Sequence, residues 1–381
     1  MAEIQLDAVV DGPGTHALVV GVSNYPYLDG PQQTLVGKRF GVSNLSSAAR
    51  SASEIANWLL TEYQNPATPL ASLNVLLSPA AGEVVSDPTG KLAAVGRARR
   101  DEFEQAVMAL AQRSKSPQSM CVVYVAGHGI QLTTRGAFLL LEDCGRSDKA
   151  NELYGAADMA GLHGAFMAQG QALNQVWFVD ACRQRPSFAN SFEELAGAFT
   201  LSKSAIEKVD SSVLFLAASS REAAFAEIGG TTLFSQALLT MLRGAAAVGP
   251  DDVCDVWNVP VLRLADRLAP AVKKLAGAKQ AKQQVDVTGK VNPNVVQRFA
   301  RPPMVRFHPM LDPGEAAATA RASLKARGAT VLSDAPWPVD CDVAAGLYTL
   351  SVTTDPPFQP IDGWAVNLEP PSFDEPLRVS T

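Results

Sequence analysis

The sequence lacks the long apolar run of a membrane-spanning helix and the basic start of a signal peptide. Only 7% of its 381 residues are aromatic and 18% are charged, against 47% apolar residues. No apolar run approaches the roughly 18 residues of a membrane-spanning helix. The first 11 residues carry acids but no lysine or arginine, unlike the start of a signal peptide. We therefore expect a globular, cytoplasmic protein that does not engage a membrane.

Cysteine is also sparse, and its spacing does not suit metal or disulfide chemistry. The five cysteines are far apart and include no Cys-x-x-Cys pair. A structural zinc site and a disulfide framework are therefore not expected in a chain of this length. No run of carboxylates has the spacing of a calcium loop, so we predict no metal and no cofactor.

Positive charge and phosphate-binding loops are lacking as well. The formal net charge is −6, which argues against nucleic acid as a partner because such proteins need a basic face. Neither a GxGxxG nor a GxxxxGK loop occurs. This absence disfavours an unrelated doubly wound ligand-binding domain, which is one alternative interpretation.

Short apolar runs that alternate with helical patterns are the main signal present. The runs predict strands at 16–22, 73–77, 120–126, 176–179 and 213–218, with a weaker strand within 285–295. Apolar periodicity predicts helices at 45–63 (with Asn44 as N-cap), 101–113, 155–169, 232–243 and 256–276. Such alternation implies right-handed crossovers and therefore an α/β fold with a mainly parallel sheet flanked by helices.

The composition changes after Arg301. Pro302 and Pro303 interrupt the chain, and prolines recur to the end. Alternating patterns predict strands at 344–352 and 364–368, and an alanine-rich segment predicts one helix between 314 and 327. We therefore divide the chain into a domain of residues 1–300 and a small, mostly β appendage of residues 301–381.

Two chemically reactive residues follow directly after predicted buried strands. His128 is one of only four histidines and lies between Gly127 and Gly129, while Cys182 comes 54 positions later. That interval accommodates one hairpin and one helix, as a crossover to the adjacent strand requires. The carboxyl ends of parallel strands lie at one edge of the sheet. The pattern therefore predicts a thiol and an imidazole base in one cleft.

These motifs resemble those of the caspase clan of cysteine peptidases. The resemblance rests on the His-Gly pair at 128–129 and the Asp-Ala-Cys-Arg run at 180–183. It covers about residues 14–298. Within the clan, the sequence looks closest to bacterial caspase-like proteins and metacaspases. It implies a caspase-like sheet and an endopeptidase in which His128 is the general base and Cys182 the nucleophile. It also implies an oxyanion hole formed by the backbone amides of Gly129 and Cys182.

The resemblance further implies that Asp180, Ser219 and Ser220 bind substrate. Asp180 would face the primary specificity pocket, where metacaspases carry aspartate and cut after arginine or lysine. A desolvated carboxylate pairs well with a guanidinium or an ammonium group. We therefore predict cleavage after basic residues.

One departure from the metacaspase pattern keeps a second specificity open. Residues 49–52 read Ala-Arg-Ser-Ala, where metacaspases commonly add a second pocket acid. Arg39 or Arg50 would instead suit an acidic substrate side chain. Cleavage after acidic residues is therefore an alternative.

The expected partners are protein substrates together with an activating protease or a regulatory protein. Segment 185–212 contains Lys203 and Lys208, at which a basic-specific enzyme could cut. Bacterial relatives act in defence or cell-death cascades, which suggests an activity triggered by a partner or by cleavage. A catalytically silent caspase-like scaffold that binds other proteins is the remaining alternative.

Overall fold

A computed structural model describes most of the chain. The described residues are 3–6, 10–131, 137–149, 151, 153–167, 171–183, 198–202, 208–218, 229–250 and 256–380. They form two compact units, one of Met1–Leu239 with Ala265–Asn294 and one of Thr240–Leu264 with Val295–Thr381. Within these ranges, no helix has the length and apolarity to cross a membrane.

The strands up to residue 299 include long buried ones and several short ones. They are β1 (Glu3–Ile4), β2 (Thr15–Val22), β3 (Leu70–Ser78), β4 (Met120–Gly127), β5 (Gly129–Ile130), β6 (Phe138–Leu140), β7 (Ala156–Asp158), β8 (Asn174–Ala181), β9 (Ser211–Leu216), β10 (Trp257–Pro260), β11 (Asp286–Lys290) and β12 (Val295–Phe299). The α-helices are α1 (Leu35–Phe40), α2 (Ala48–Thr61), α3 (Arg100–Arg113), α4 (Met159–Phe166), α5 (Leu233–Thr240) and α6 (Val261–Ala278).

A seven-stranded sheet organises the first unit, in the order β1-β3-β2-β4-β8-β9-β11. The inner strands are parallel, whereas the edge strands β1 and β11 are antiparallel to their neighbours. This arrangement confirms the predicted mainly parallel sheet. The central strand β4 is buried throughout, as expected for a strand covered on both faces.

Helices cover both faces of this sheet. Val123 of β4 belongs to one apolar core together with Phe103 of α3 and Phe166 of α4. On β8, Phe178 contacts Phe234 of α5, with ring centroids 6.5 Å apart. The two faces of each inner strand are thus buried against different helices, which explains the unbroken apolar runs in the sequence.

The second unit is rich in short β-strands. Those after residue 300 are β13 (Met304–Phe307), β14 (Met310–Asp312), β15 (Arg321–Ala326), β16 (Ala329–Pro336), β17 (Cys341–Ala344), β18 (Gly346–Thr353), β19 (Ile361–Leu368), β20 (Ser372–Phe373) and β21 (Pro376–Arg378). Its largest sheet has the order β16-β15-β18-β19. The C-terminal part is therefore mostly β, as predicted.

The helix predicted at 155–169 begins late, because Ala156–Asp158 forms strand β7 before α4 starts at Met159. Two further predicted helices are wrong in part. The alanine-rich segment forms a short 3₁₀ helix at Gly314–Ala318 and then strand β15, because Ala322 and Leu324 alternate with more exposed neighbours and pair with β18. Residues 257–260 form strand β10, paired with β12, before α6 begins. In both places, alternating burial and strand pairing outweigh local helix propensity.

Candidate active site

The register of β4 and β8 brings His128 and Cys182 to the same edge of the sheet. Gly127 lies opposite Ala181 at the carboxyl end of this parallel pair, and the two motif residues are the next in each chain. Neighbouring strands are about 4.8 Å apart. Both side chains are half-buried. Residues separated by 54 positions in the sequence therefore follow adjacent strand ends.

Tyr25 holds the backbone of His128. The His128 N–H donates to the Tyr25 hydroxyl at 2.7 Å, and the two rings lie 5.0 Å apart between centroids. The hydroxyl in turn donates to the Val22 carbonyl at 3.1 Å. Burial raises the pKa of Tyr25 well above its usual range, so the phenol stays protonated and can serve as both donor and acceptor.

A backbone carbonyl fixes the tautomer of the imidazole. Nε2 of His128 lies 2.6 Å from the Ser43 carbonyl oxygen. A carbonyl can only accept, so Nε2 carries the proton and Nδ1 is left as the basic nitrogen of the neutral ring. Burial lowers the pKa of His128, against a smaller opposing effect of the Ser43 carbonyl. The ring is therefore neutral near pH 7 and can accept a proton.

The loop that carries Ser43 is tied to the segment that carries Tyr25. The Asn44 side chain accepts from the Tyr25 N–H at 2.6 Å, and the Asn44 N–H donates to Asp29 at 2.9 Å. Asn44 thus holds this loop in place through hydrogen bonds. It is not the predicted N-cap of α2, since Ser47 occupies that position. Both contacts to His128 come from one connected piece of structure.

Gly129 packs directly against the backbone of Cys182. A Cβ at Gly129 would lie 2.1 Å from the Cys182 carbonyl oxygen, so only glycine fits here. The Leu140 N–H donates to the His128 carbonyl at 2.8 Å, which makes Gly129 and Leu139 a non-hydrogen-bonded pair. The Gly129 N–H is therefore not used in the ladder with β6, as an oxyanion donor requires.

Asp180 is buried, with only 2% of its surface exposed. Its Oδ2 accepts hydrogen bonds from the hydroxyls of Tyr124, at 2.7 Å, and Thr232. Its Oδ1 has no hydrogen-bond partner among the residues that the structure describes. Burial raises the pKa of Asp180 to about 6. One carboxylate oxygen is thus held in place, while the other is buried without a partner among the described residues.

The helix α2 reaches the same buried cluster. The Ser51 hydroxyl accepts from the Thr232 N–H at 2.9 Å, and Ser51 lies in the run where the metacaspase pattern commonly has an acid. The neighbouring Arg50 donates from its guanidinium to the Gly229 carbonyl. Arg39 is exposed at the end of α1. Among the described residues, the cluster around Asp180 therefore contains hydroxyls and no second carboxylate.

Arg183 anchors the chain immediately after Cys182. Its side chain is 7% exposed, and its Nη1 donates to Asp286 on the edge strand β11 at 2.7 Å. A buried guanidinium needs such a partner because an uncompensated charge is costly to bury. The ion pair links the end of β8 to the sheet edge two strands away.

Several residues of the site lie outside the sequence patterns or outside the described structure. Ser219 and Ser220, predicted to bind substrate, fall outside the described residues, as does Lys203. Tyr25 and Ser43 were not predicted, because a buried tyrosine and a loop carbonyl have no motif. The Gly-Val-Ser-Asn run that ends β2 is the only local signal near Tyr25.

Comparison with protein-family models identifies the family. The profile described as the caspase domain matches residues 15–295. The chain therefore belongs to the caspase-domain family, which is a family of cysteine peptidases. Among solved structures, it is similar to caspase-1 from Spodoptera frugiperda at 13% identity and a TM-score of 0.43, over 76% of this chain and 95% of that chain. No curated protein matches the sequence.

Proposed function

We propose that the chain is a cysteine endopeptidase that uses His128 as base and Cys182 as nucleophile. The observation that carries this proposal is the contact between Nε2 of His128 and the Ser43 carbonyl oxygen. With Nε2 bound to Ser43 at 2.6 Å, the basic Nδ1 is left to take the thiol proton at the edge that both strand ends share.

The proposed reaction passes through an acyl-enzyme. Nδ1 of His128 removes the proton of the Cys182 thiol, and the thiolate attacks the scissile carbonyl carbon. The Gly129 and Cys182 amides donate to the resulting oxyanion. The imidazolium then gives its proton to the leaving amine as the C–N bond breaks. Water, deprotonated by the same imidazole, hydrolyses the thioester and restores the thiol.

We propose that the peptidase cuts after arginine or lysine. Support comes from the two oxygens of Asp180, of which Oδ2 is held by Tyr124 and Thr232 while Oδ1 lacks a partner among the described residues. A guanidinium or ammonium group would satisfy Oδ1 and compensate the desolvated charge.

The alternative of cleavage after acidic residues rests on Arg50. Its guanidinium is close enough to donate to Gly229, and its neighbour Ser51 belongs to the Asp180 cluster. This alternative requires an acidic group to approach a buried carboxylate, which disfavours it.

A panel of fluorogenic peptides that differ only in the residue before the cut tests both parts of the proposal. We expect turnover of arginine and lysine peptides by the wild type and none by Cys182→Ala. Asp180→Asn should lose most of this turnover, whereas the matched variant Asp266→Asn, at an exposed position of α6, should keep it. Turnover of aspartate peptides alone would refute the basic pocket. Turnover by Cys182→Ala would refute the mechanism.

The natural substrates and triggers follow from the resemblance only. Protein substrates, and activation by a partner or by cleavage within a defence or cell-death cascade, remain predictions. Lys208 lies in the segment after Cys182 and is exposed. A basic-specific enzyme could cleave itself at this residue, and mass spectrometry would detect the product. A chain that binds a peptide ketone without hydrolysing any peptide would favour the scaffold alternative.

A further inference from the structure

The second unit contains an open groove of about 680 Å³. Its lining comes from segments far apart in the sequence, with Pro250 and Trp257 on one side and strands β15 and β18 on another. A volume of this size is within the range of specific ligand sites. The groove lies outside the His128–Cys182 site and does not depend on the proposed peptidase activity.

The floor of the groove is the outer face of a β-sheet. Lys325, Thr349 and Ala365 are cross-strand neighbours on β15, β18 and β19. Leu347 lies on the same face of β18 as Thr349 and is 68% exposed. A row across three strands spans about 10 Å. The floor therefore presents an exposed leucine on the same sheet face as the cation Lys325.

The charged residues that line the described part of the groove are positive, whereas the chain as a whole is negative. The charged residues that line the groove, within the described structure, are Lys325 and Arg327, whereas the chain has a net charge of −6. The Lys325 side chain is exposed and has no ion-pair or hydrogen-bond partner among the described residues. Its ammonium group is thus available to an anion.

We propose that this groove binds a short acidic peptide of a partner protein, with a carboxylate at Lys325 and Arg327 and an apolar side chain over Leu347. Two features favour a peptide over a small anion. The groove is open to solvent along a sheet face, whereas small-molecule sites enclose most of the ligand surface. Leu347 also lies apart from the cations, two residues along β18 from the Thr349 that neighbours Lys325, so a ligand that covers it needs an apolar group displaced from its charge.

Fluorescence anisotropy with labelled pentapeptides tests the proposal on the full chain. The probe is Gly-Leu-Glu-Glu-Phe, which contains no arginine or lysine, and its matched control is Gly-Leu-Gln-Gln-Phe. We expect saturable binding of the acidic probe and about tenfold weaker binding of the control peptide. Lys325→Glu should weaken the acidic probe about tenfold, and Leu347→Ser should weaken both peptides.

The control variant is Lys115→Glu, which reverses the charge of an exposed lysine in the first unit and should bind like the wild type. All variants should have wild-type thermal stability, since the substituted side chains are exposed. Equal binding by Lys325→Glu, or no binding of the acidic probe by the wild type, would overturn the proposal. Displacement of the probe by ADP together with equal affinity for both peptides would instead identify a small-anion site.

Discussion

His128 is constrained through both its backbone and its ring. Its N–H is bound to Tyr25 and its Nε2–H to Ser43, so neither the position of the ring nor its tautomer depends on substrate. Positioning a base before substrate arrives removes part of the entropic cost of the reaction. The same burial that orients the ring also lowers its pKa.

The pH dependence of kcat should report this lowered pKa. In the proposed mechanism only the neutral ring can accept the thiol proton, so kcat should fall on the acid side with a midpoint below the 6.5 of an ordinary histidine. Because Asp180 also titrates, with a pKa of about 6, the profile is best measured at saturating substrate in the wild type and in Asp180→Asn. A midpoint above 6.5 in both proteins would contradict the assigned environment.

The buried Asp180 should make stability depend on pH. Its pKa is raised to about 6 from 3.8, so the folded state binds the proton more tightly than the unfolded state. The stability it contributes is present at low pH and is lost as the pH rises through 6. Between pH 5 and pH 8, the wild type should lose roughly 1 kcal/mol relative to Asp180→Asn. Urea unfolding at both pH values measures this, and an unchanged difference would contradict it.

At the scale of elements, the site depends on the close contact between β5 and the end of β8. Gly129→Ala would place a Cβ 2.1 Å from the Cys182 carbonyl oxygen, and backbone cannot yield as a flexible side chain can. We expect a loss of at least tenfold in kcat/KM with a lowered Tm. Gly277→Ala is the control, because nothing lies within 4 Å of a Cβ there. Wild-type activity in Gly129→Ala would show that this contact does not shape the site.

The edge strand β11 contributes through the ion pair between Arg183 and Asp286. Asp286→Asn leaves the buried guanidinium without its charge partner, which should destabilise the protein by roughly 1–3 kcal/mol and lower kcat more than it raises KM. Asp148→Asn breaks the exposed pair with Arg146 and should change neither quantity measurably. Equal effects of the two substitutions on thermal unfolding and kinetics would contradict an anchoring role.

The elements that could be predicted are those whose burial leaves a periodic pattern. The inner strands appear in the sequence as apolar runs because helices cover both their faces. Recognising these strands was enough to predict that His128 and Cys182 lie at the carboxyl edge of the sheet. β15 could not be predicted, since Ala322 and Leu324 have high helix propensity and become strand residues only through pairing with β18. Tyr25 and Ser43 act through a hydroxyl and a carbonyl whose placement depends on the folded loop.

At the scale of the whole molecule, the family match and the compact units do not coincide. The caspase-domain match covers residues 15–295, whereas residues Thr240–Leu264 cluster with Val295–Thr381 in the second unit. A segment within the family match thus helps build the β-rich unit. Pro250 and Trp257 of that segment line the groove proposed for an acidic peptide.

The central claim is that a neutral imidazole at the end of β4 activates the thiol at the end of β8. Labelling with a peptide chloromethyl ketone that ends in arginine tests it most directly, with the modified residue located by mass spectrometry and the rate measured at pH 7. The account predicts a single adduct on Cys182 that forms about a hundredfold or more slowly in His128→Ala. Labelling of Cys182 at the same rate in His128→Ala, or adducts confined to other cysteines, would contradict it.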